Sequence, residues 1–175
     1  MWIIFNLVFA VVFGVLHQAG VVPSLFYLHS RIANDPSANT HIIYWKTYMP
    51  PRRFLGIPQQ GHFHLCPGCS MLTRPIDAES GKVDITDLAG ASQETLIDNL
   101  LPTGPATTTY VVTPVPMYKT LPSRVSPCFT PQTRIFPHLD LDHVRASIDA
   151  GLYDGLALGV YTVERSCVIT ATRDA

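Results

Sequence analysis

Apolar residues dominate the first part of the chain. The 21 residues from Trp2 to Val22 carry no formal charge, and a helix of that length spans about 31 Å, roughly the hydrocarbon thickness of a bilayer. On such a helix the small and polar residues fall on one side, and the large apolar residues fill the other side. The pattern predicts a transmembrane helix that forms one wall of a helix bundle, with a contact face made of Asn6, Ala10, Gly14, His17 and Gly20.

A second helix is predicted directly after this run. Pro is tolerated in the first turn of a helix, so Pro23–Ala33 is predicted to be a short helix at the membrane interface. A secretory signal peptide cleaved after Ala19 is the alternative, but no Lys or Arg precedes the apolar run. We therefore expect residues 1–33 to be a membrane part, and residues 34–175 to be one α/β domain with long Pro-rich loops.

Beyond residue 34 the pattern changes to short apolar segments separated by polar turns. Runs of β-branched and aromatic residues favour strands, and a Ser or Asp before an apolar periodic segment favours a helix start. Strands that alternate with helices indicate a small α/β layer. The predicted elements are a strand at Ile42–Tyr48, a helix from Ser92 to Leu101, a strand at Thr108–Thr113, a helix at His143–Ala150 that is capped by Asp142 and stopped by Gly151, and a strand at Leu156–Val163.

Proline and charge content narrow the choice of function. The chain has 15 Pro and 14% charged residues, and six of the Pro lie between Thr113 and Pro137. This excludes a long helix there and favours extended connecting segments over the surface. The formal net charge is −1, so no sustained basic surface supports nucleic-acid binding.

Three short motifs carry a resemblance to a known family. They are His-Gln-Ala-Gly-Val-Val-Pro at His17–Pro23, Lys-Thr-Tyr-Met-Pro-Pro-Arg at Lys46–Arg52, and Phe-Pro-His-Leu at Phe136–Leu139. With these motifs the chain resembles the C-terminal end of the mannosyltransferases of glycosylphosphatidylinositol (GPI) assembly in glycosyltransferase family 22, most of all the branch that adds a fourth mannose. The resemblance covers most of the chain except the stretch Gln59–Ala91.

The resemblance implies the C-terminal piece of a GT-C enzyme of the endoplasmic-reticulum membrane, with its C-terminal domain in the lumen. Such an enzyme transfers mannose from dolichol-phosphate mannose to a GPI precursor in α1,2 linkage and needs no cofactor. Its partners would be these two substrates, membrane lipids and the remaining transmembrane helices of the parent enzyme. The family's essential acidic residues lie in an early lumenal loop that is missing from this chain, so we expect the chain to be inactive alone. The alternatives are a non-catalytic membrane-anchored interaction module and a secreted, zinc-stabilised small protein.

Two polar segments supply candidate contacts to the substrate or to a lipid phosphate. One lies just inside the end of the apolar run, where polar side chains need partners, and a neighbouring helix is the alternative partner. The other combines cations with aromatic rings next to a Pro-Pro pair, which suits a sugar-phosphate surface; an interfacial belt with snorkelling cations is the alternative. The candidate residues are His17, Gln18, Tyr48, Arg52 and Arg53.

A cluster of His and Cys residues has the composition of a zinc site. Alternate residues of an extended strand share a face, and a Cys-x-x-Cys turn can complete a tetrahedral set. The two ligand pairs lie unusually close together, however, and an oxidising lumen favours disulfides, in which Cys128 or Cys167 could take part. Unpaired thiols are the remaining alternative. The low-probability zinc set is His62, His64, Cys66 and Cys69.

The pair Asp140 and Asp142 has the Asp-x-Asp spacing of metal-dependent nucleotide-sugar transferases. A lipid-linked donor has no diphosphate that a metal must neutralise. Asp142 also precedes an apolar periodic segment directly, which is the position of a helix cap. We therefore predict a structural role for this pair and no catalytic metal.

Overall fold

The structure is a computed structural model of the chain. It describes residues 1–35, 38–50, 83–101 and 107–173, together with the backbone of two strands between residues 62 and 73. In chain order the elements are α1 (Trp2–Val11), a π-helical segment (Val12–Leu16), α2 (Val21–Asn34), β1 (Thr40–Trp45), β2 (His62–Cys66), β3 (Cys69–Thr73), β4 (Val83–Leu88), α3 (Gln93–Leu100), β5 (Thr108–Pro114), α4 (Val115–Tyr118), a 3-10 turn (Ser126–Cys128), β6 (Phe129–Ile135), α5 (Val144–Asp149), α6 (Gly151–Gly155), β7 (Leu158–Val163) and α7 (Arg165–Arg173).

The prediction of a transmembrane helix is wrong, and the predicted membrane α/β fold class is wrong for the same reason. The apolar run is split between two helices, because His17 is extended (φ −65°, ψ 121°) and Gln18 is left-handed (φ 57°). The backbone of His17 pairs with Leu139 instead of continuing the helix. Length and lack of charge could not reveal this distant partner. Among the described residues, no helix combines the length and the apolar content that crossing a bilayer requires.

The predicted second helix is present, and it begins two residues earlier than expected as α2. Its buried face, which includes Leu25 and Leu28, packs against one face of the sheet. The Oγ atom of Ser24 lies 3.4 Å from the hydroxyl of Tyr44 on β1, at hydrogen-bond distance. The apolar face of this amphipathic helix therefore contacts the sheet.

Within the described residues, the strands form one mixed sheet in the order β2-β3-β4-β1-β5-β7-β6. The strand β1 lies between two parallel neighbours, β4 and β5, and the remaining pairs are antiparallel. Helix α2 covers one face of the sheet, and α3, α4 and α7 cover the other face. A sheet that is covered on both faces explains why β1 consists of almost continuous apolar residues and lacks polar alternation.

The strands and helices predicted from short patterns are confirmed with shifted ends. The first strand ends at Trp45, so Tyr48 lies outside it, and the last strand begins at Leu158. Ser92 caps α3 by accepting a hydrogen bond from the amide of Thr95, as predicted. Gly151 has the predicted positive φ of 83°, although α6 begins there. Four strands were missed, namely β2, β3, β4 and β6.

Helix α5 begins differently from the prediction, because Asp140 supplies the polar contacts and Asp142 does not. The Oδ1 atom of Asp140 accepts hydrogen bonds from the amides of Asp142 (3.0 Å) and His143 (3.3 Å). The first helical residue is Val144, and the residue before it makes no side-chain cap. The segment between Thr113 and Pro137 contains no long helix, as predicted, but it includes β6, which pairs with β7.

Candidate functional site

The segments that carry the three motifs meet at one edge of the sheet. Residues 46–47 follow the carboxyl end of β1, and residues 136–139 follow the end of β6. Because β7 is antiparallel to both β5 and β6, the ends of β1 and β6 lie at the same edge. The turn before α2 reaches the same place. We call the group formed by His17, Gln18, Thr47, His138 and Leu139 the polar joint.

Backbone hydrogen bonds join the first segment to the third. The amide of Leu139 donates to the carbonyl of Leu16 (2.8 Å), and the amide of Gln18 donates to the carbonyl of Leu139 (3.4 Å). The Nδ1 atom of His17 lies 3.3 Å from the same carbonyl. A carbonyl can only accept, so Nδ1 of His17 carries the proton in this contact.

A side-chain hydrogen bond joins the first segment to the second. The hydroxyl of Thr47, which is 2% exposed, donates to Oε1 of Gln18 at 2.9 Å. Gln18 and Lys46 both have a φ of 57°, and among the described residues they are the two with positive φ that are not glycine. Such backbone conformations are uncommon outside glycine and concentrate at functional sites. Gln18 belongs to the polar joint, and Lys46 directly precedes Thr47 of the joint.

His138 forms the inner side of the joint. Its side chain packs against Gly20, the residue before α2, where an added Cβ would lie 3.0 Å from the Cβ atoms of both His138 and Leu158. Any larger residue at position 20 would push into this contact. Burial, with a smaller effect from nearby His17, lowers the pKa of His138 to about 4. The ring is therefore neutral near pH 7.

Three buried polar atoms of the joint have no hydrogen-bond partner in the part of the chain that the structure describes. They are Nε2 of Gln18 and both ring nitrogens of His138. Such groups are rare in native proteins, and each one requires an explanation.

The carboxylate next to the joint in sequence makes three hydrogen bonds within its own loop. Asp140 is 1% exposed, and its Oδ2 lies 2.7 Å from Nδ1 of His143 while Oδ1 holds two amides. A general base must have a free lone pair directed at the proton that it takes. These contacts give Asp140 a structural role in the loop before α5.

The structure brings together some of the predicted site residues and leaves others apart. His17 and Gln18 are in the joint, and Tyr48 lies next to it with 54% of its surface exposed. Arg52 and Arg53 lie outside the described residues. Asn6, predicted to share a contact face with His17, is exposed and donates to the carbonyl of Trp2 (2.8 Å).

Two residues of the joint, Thr47 and His138, were missed as site residues. Both lie inside the motifs that carried the resemblance, which was the available signal. Nothing in the local sequence indicates that Thr47 would bond to a residue 29 positions away.

Among the described residues, two of the four cysteines form a disulfide. Cys128 and Cys167 form a disulfide with each other, with a Cα–Cα distance of 5.5 Å. The backbone of β2 and β3 places Cys66 opposite Cys69, but the side chains of the predicted zinc set lie outside the described residues. In the described ranges, no group of three or more His, Cys, Asp or Glu is placed to hold a metal ion.

Curated proteins named as GPI mannosyltransferases are similar to most of this chain. It is 30% identical over 164 residues to GPI mannosyltransferase 4 of Yarrowia lipolytica, which covers 85% of this chain and 31% of the relative. Over 153 residues it is 30% identical to GPI mannosyltransferase 4 of Candida albicans (86% of this chain, 27% of the relative). Human GPI alpha-1,2-mannosyltransferase 4 is 30% identical over 155 residues (80% of this chain, 23% of the relative).

The chain thus spans less than a third of the length of these relatives. No family model matches it, and no solved structure matches it significantly.

Proposed function

Because the chain resembles the C-terminal region of GPI mannosyltransferase 4 from fungi and human, we propose that it acts as that part of a mannosyltransferase in GPI-anchor biosynthesis. The resemblance indicated by the three motifs is confirmed. The reaction would transfer mannose from dolichol-phosphate mannose to a GPI precursor in α1,2 linkage. The observation that carries the proposal is the similarity to these relatives along most of the chain.

The proposed location is the endoplasmic-reticulum membrane, with residues 34–175 in the lumen together with α2, which packs against the sheet. The disulfide between Cys128 and Cys167 supports the lumenal side, because disulfides persist in oxidising compartments and are rare in the cytosol. It links the turn before β6 to α7 across 39 residues of sequence.

The proposed partners are the two substrates, membrane lipids and the other helices of a longer parent enzyme. Helix α1 supports the last two, because none of its residues is buried and its side chains are almost all apolar. Trp2 is 78% exposed and Leu7 is 64% exposed. An apolar surface of this kind requires a covering partner in the functional protein.

The proposed substrate contacts are those predicted from the sequence, namely His17, Gln18, Tyr48, Arg52 and Arg53. The first two are supported by their place in the polar joint, and Tyr48 by its exposed ring beside it. We propose no catalytic role for the chain alone, because sugar transfer with inversion requires a carboxylate base near the acceptor hydroxyl, and Asp140, the carboxylate nearest the joint in sequence, is buried and bonded to its own loop.

A second candidate is a non-catalytic interaction module. The exposed apolar surface of α1, together with a joint that contains neutral polar groups, is the observation that favours it. The experiment below separates the two, since an interaction module would not restore sugar transfer.

The test is a chimera in which this chain replaces the matching C-terminal region of the Yarrowia lipolytica relative. It is expressed in cells that lack their own GPI mannosyltransferase 4, and the mannose number of their GPI glycans is read by mass spectrometry. We expect the chimera to restore the last mannose and the chain alone to restore none. A chimera that is present at the level of the intact relative but adds no mannose would refute the proposed function.

A further inference from the structure

Helices α5 and α6 form a hairpin (Val144–Gly155) that presents large apolar side chains to solvent. Ile148 is 72% exposed, Leu152 is 74% exposed and Tyr153 is 81% exposed. A side chain exposed to this degree has few protein neighbours, so it protrudes from the surface. Single exposed apolar residues are ordinary, but several large ones on one short hairpin form a patch, which marks a site of interaction with a protein or a membrane.

The hairpin is held firmly in place. Gly155 on α6 lies so close to Ser147 on α5 that an added Cβ would collide with the Ser147 carbonyl. The carboxylate of Asp154 accepts hydrogen bonds from Lys119 (2.6 Å) and from Arg134 (2.7 Å), which ties α6 to the end of α4 and to β6. A patch that is already ordered loses little conformational freedom when it is buried against a partner.

The charges around the hairpin balance. Within the part of the chain that the structure describes, the charged side chains of the hairpin, of its ion pairs and of the exposed position before it are three carboxylates and three cations, namely Asp142, Asp149 and Asp154 and Lys119, Arg134 and Arg145. Anionic lipid surfaces attract clusters of Lys and Arg. Balanced charge gives no such attraction and suits an electrically neutral surface, such as zwitterionic phosphatidylcholine.

The hairpin and the apolar N-terminal helix leave the sheet at the same edge. The amide of His138 donates to the carbonyl of Leu156 (3.0 Å), which closes the segment that contains the hairpin at its base. The amide of the next residue, Leu139, donates to the carbonyl of Leu16 (2.8 Å) at the end of the π-helical segment that follows α1. Two exposed apolar surfaces that start from one base fit a single extended apolar partner, and a lipid bilayer is such a partner.

We propose that the α5–α6 hairpin is a membrane anchor of the α/β part, which enters the surface of a neutral lipid bilayer without crossing it. Ile148 and Leu152 contact the acyl chains, and the amphipathic ring of Tyr153 lies at the level of the headgroups. The inference rests on the membrane location given under the proposed function. It adds the surface through which the α/β part meets the lipid.

The test places the whole chain in phosphatidylcholine nanodiscs in which some lipids carry a spin label in the acyl chain. Methyl NMR of Ile and Leu side chains then reports which of them contact lipid. We expect Ile148 and Leu152 to lose their signals. Ile169, which is half-buried on α7 beyond the opposite end of β7, should keep its signal. Ile3 on α1 shows independently whether the chain is on the nanodisc.

A double variant makes the result specific to the hairpin. Ile148→Ser/Leu152→Ser removes the apolar contacts at exposed positions, so the fold should be retained and the Ile169 signal should not change. The ring signals of Tyr153, lost in the natural chain, should return in the variant. Tyr153 signals that stay lost in the variant would overturn the inference.

The outcome for a protein partner is different. In that case Ile148 would keep its signal beside the spin-labelled lipid and lose it to a water-soluble gadolinium chelate, which would overturn the proposed lipid contact. A chain that does not bind the nanodisc at all would overturn it as well. Neither result bears on mannose addition by the chimera, so failure of the anchor and failure of the proposed function can be told apart.

Discussion

The hydroxyl of Thr47 donates to the side-chain oxygen of Gln18 at 2.9 Å and connects the end of β1 to the turn before α2. The two residues are 29 positions apart, and one of them has a left-handed backbone. This contact, with the pairing of His17 and Leu139, brings three separate motifs into one site. The stability of this site is therefore the first property to measure.

Replacing Thr47 with Val should lower the free energy of unfolding by about 1–3 kcal/mol, because the variant leaves a buried amide oxygen without its donor. Urea denaturation followed by circular dichroism measures this change. Thr113→Val is the matched control: its hydroxyl is fully buried and unpaired, so stability should be unchanged or slightly higher. Equal losses in the two variants would show that the contact with Gln18 contributes nothing.

Stability should fall as the pH decreases from 6.5 to about 4, because of His138. Burial lowers the pKa of its ring from the usual 6.5 to about 4, so in this window the unfolded chain binds a proton that the folded chain does not. At about 1.4 kcal/mol for each pH unit, the loss reaches roughly 3 kcal/mol at pH 4. Urea midpoints measured across this range should show the slope in the natural chain, and His138→Leu should remove most of it. An unchanged slope in the variant would mean that His138 is not the group responsible.

Asp140 and Asp142 should differ sharply in their effect on stability. Asp140→Ala removes the acceptor for two amides and the His143 ring, and we expect a loss of about 2–3 kcal/mol. Asp142→Ala should change stability by no more than about 0.5 kcal/mol, since its side chain does not cap α5. Thermal unfolding of both variants provides the comparison, and a larger loss for Asp142→Ala would restore the helix cap predicted from the sequence.

Removing the disulfide should destabilise the α/β part. The variant Cys128→Ala/Cys167→Ala frees the turn before β6 from α7 and should lose about 2–4 kcal/mol of unfolding free energy. A reducing agent should lower the stability of the natural chain by a similar amount and leave the variant unaffected. If reduction lowers the stability of both proteins equally, Cys128 and Cys167 are not the bonded pair.

The local patterns of the sequence predicted those elements whose signals are local. Ser92 was identified as a cap because its partner amide lies three residues away, and Gly151 because one residue determines its backbone conformation. The missed edge strand β6 contains Pro131 and Gln132, and its membership in the sheet depends on pairing with β7. Strand formation of that kind depends on a distant partner that no local pattern contains.

The apolar N-terminal run shows the same limit more strongly. Its length and lack of charge predicted one continuous helix, but the pairing of His17 with Leu139, 122 residues away, ends the helix in the middle of the run. The site was only partly predicted for the same reason. His17 and Gln18 were selected because of their polarity in an apolar setting, whereas the importance of His138 is visible only once its burial and missing partners are known.

The most direct test of the account compares His138→Leu with Thr113→Val in the chimera with the Yarrowia lipolytica relative, at matched protein levels. The measurement is the fraction of GPI glycans that carry the additional mannose, determined by mass spectrometry. We expect His138→Leu to reduce that fraction at least tenfold while the protein stays as stable as the natural chain at pH 7, because an apolar side chain replaces an unpaired buried one. Thr113→Val should retain full transfer. Full transfer by His138→Leu would contradict the claim that the polar joint serves the function of the enzyme.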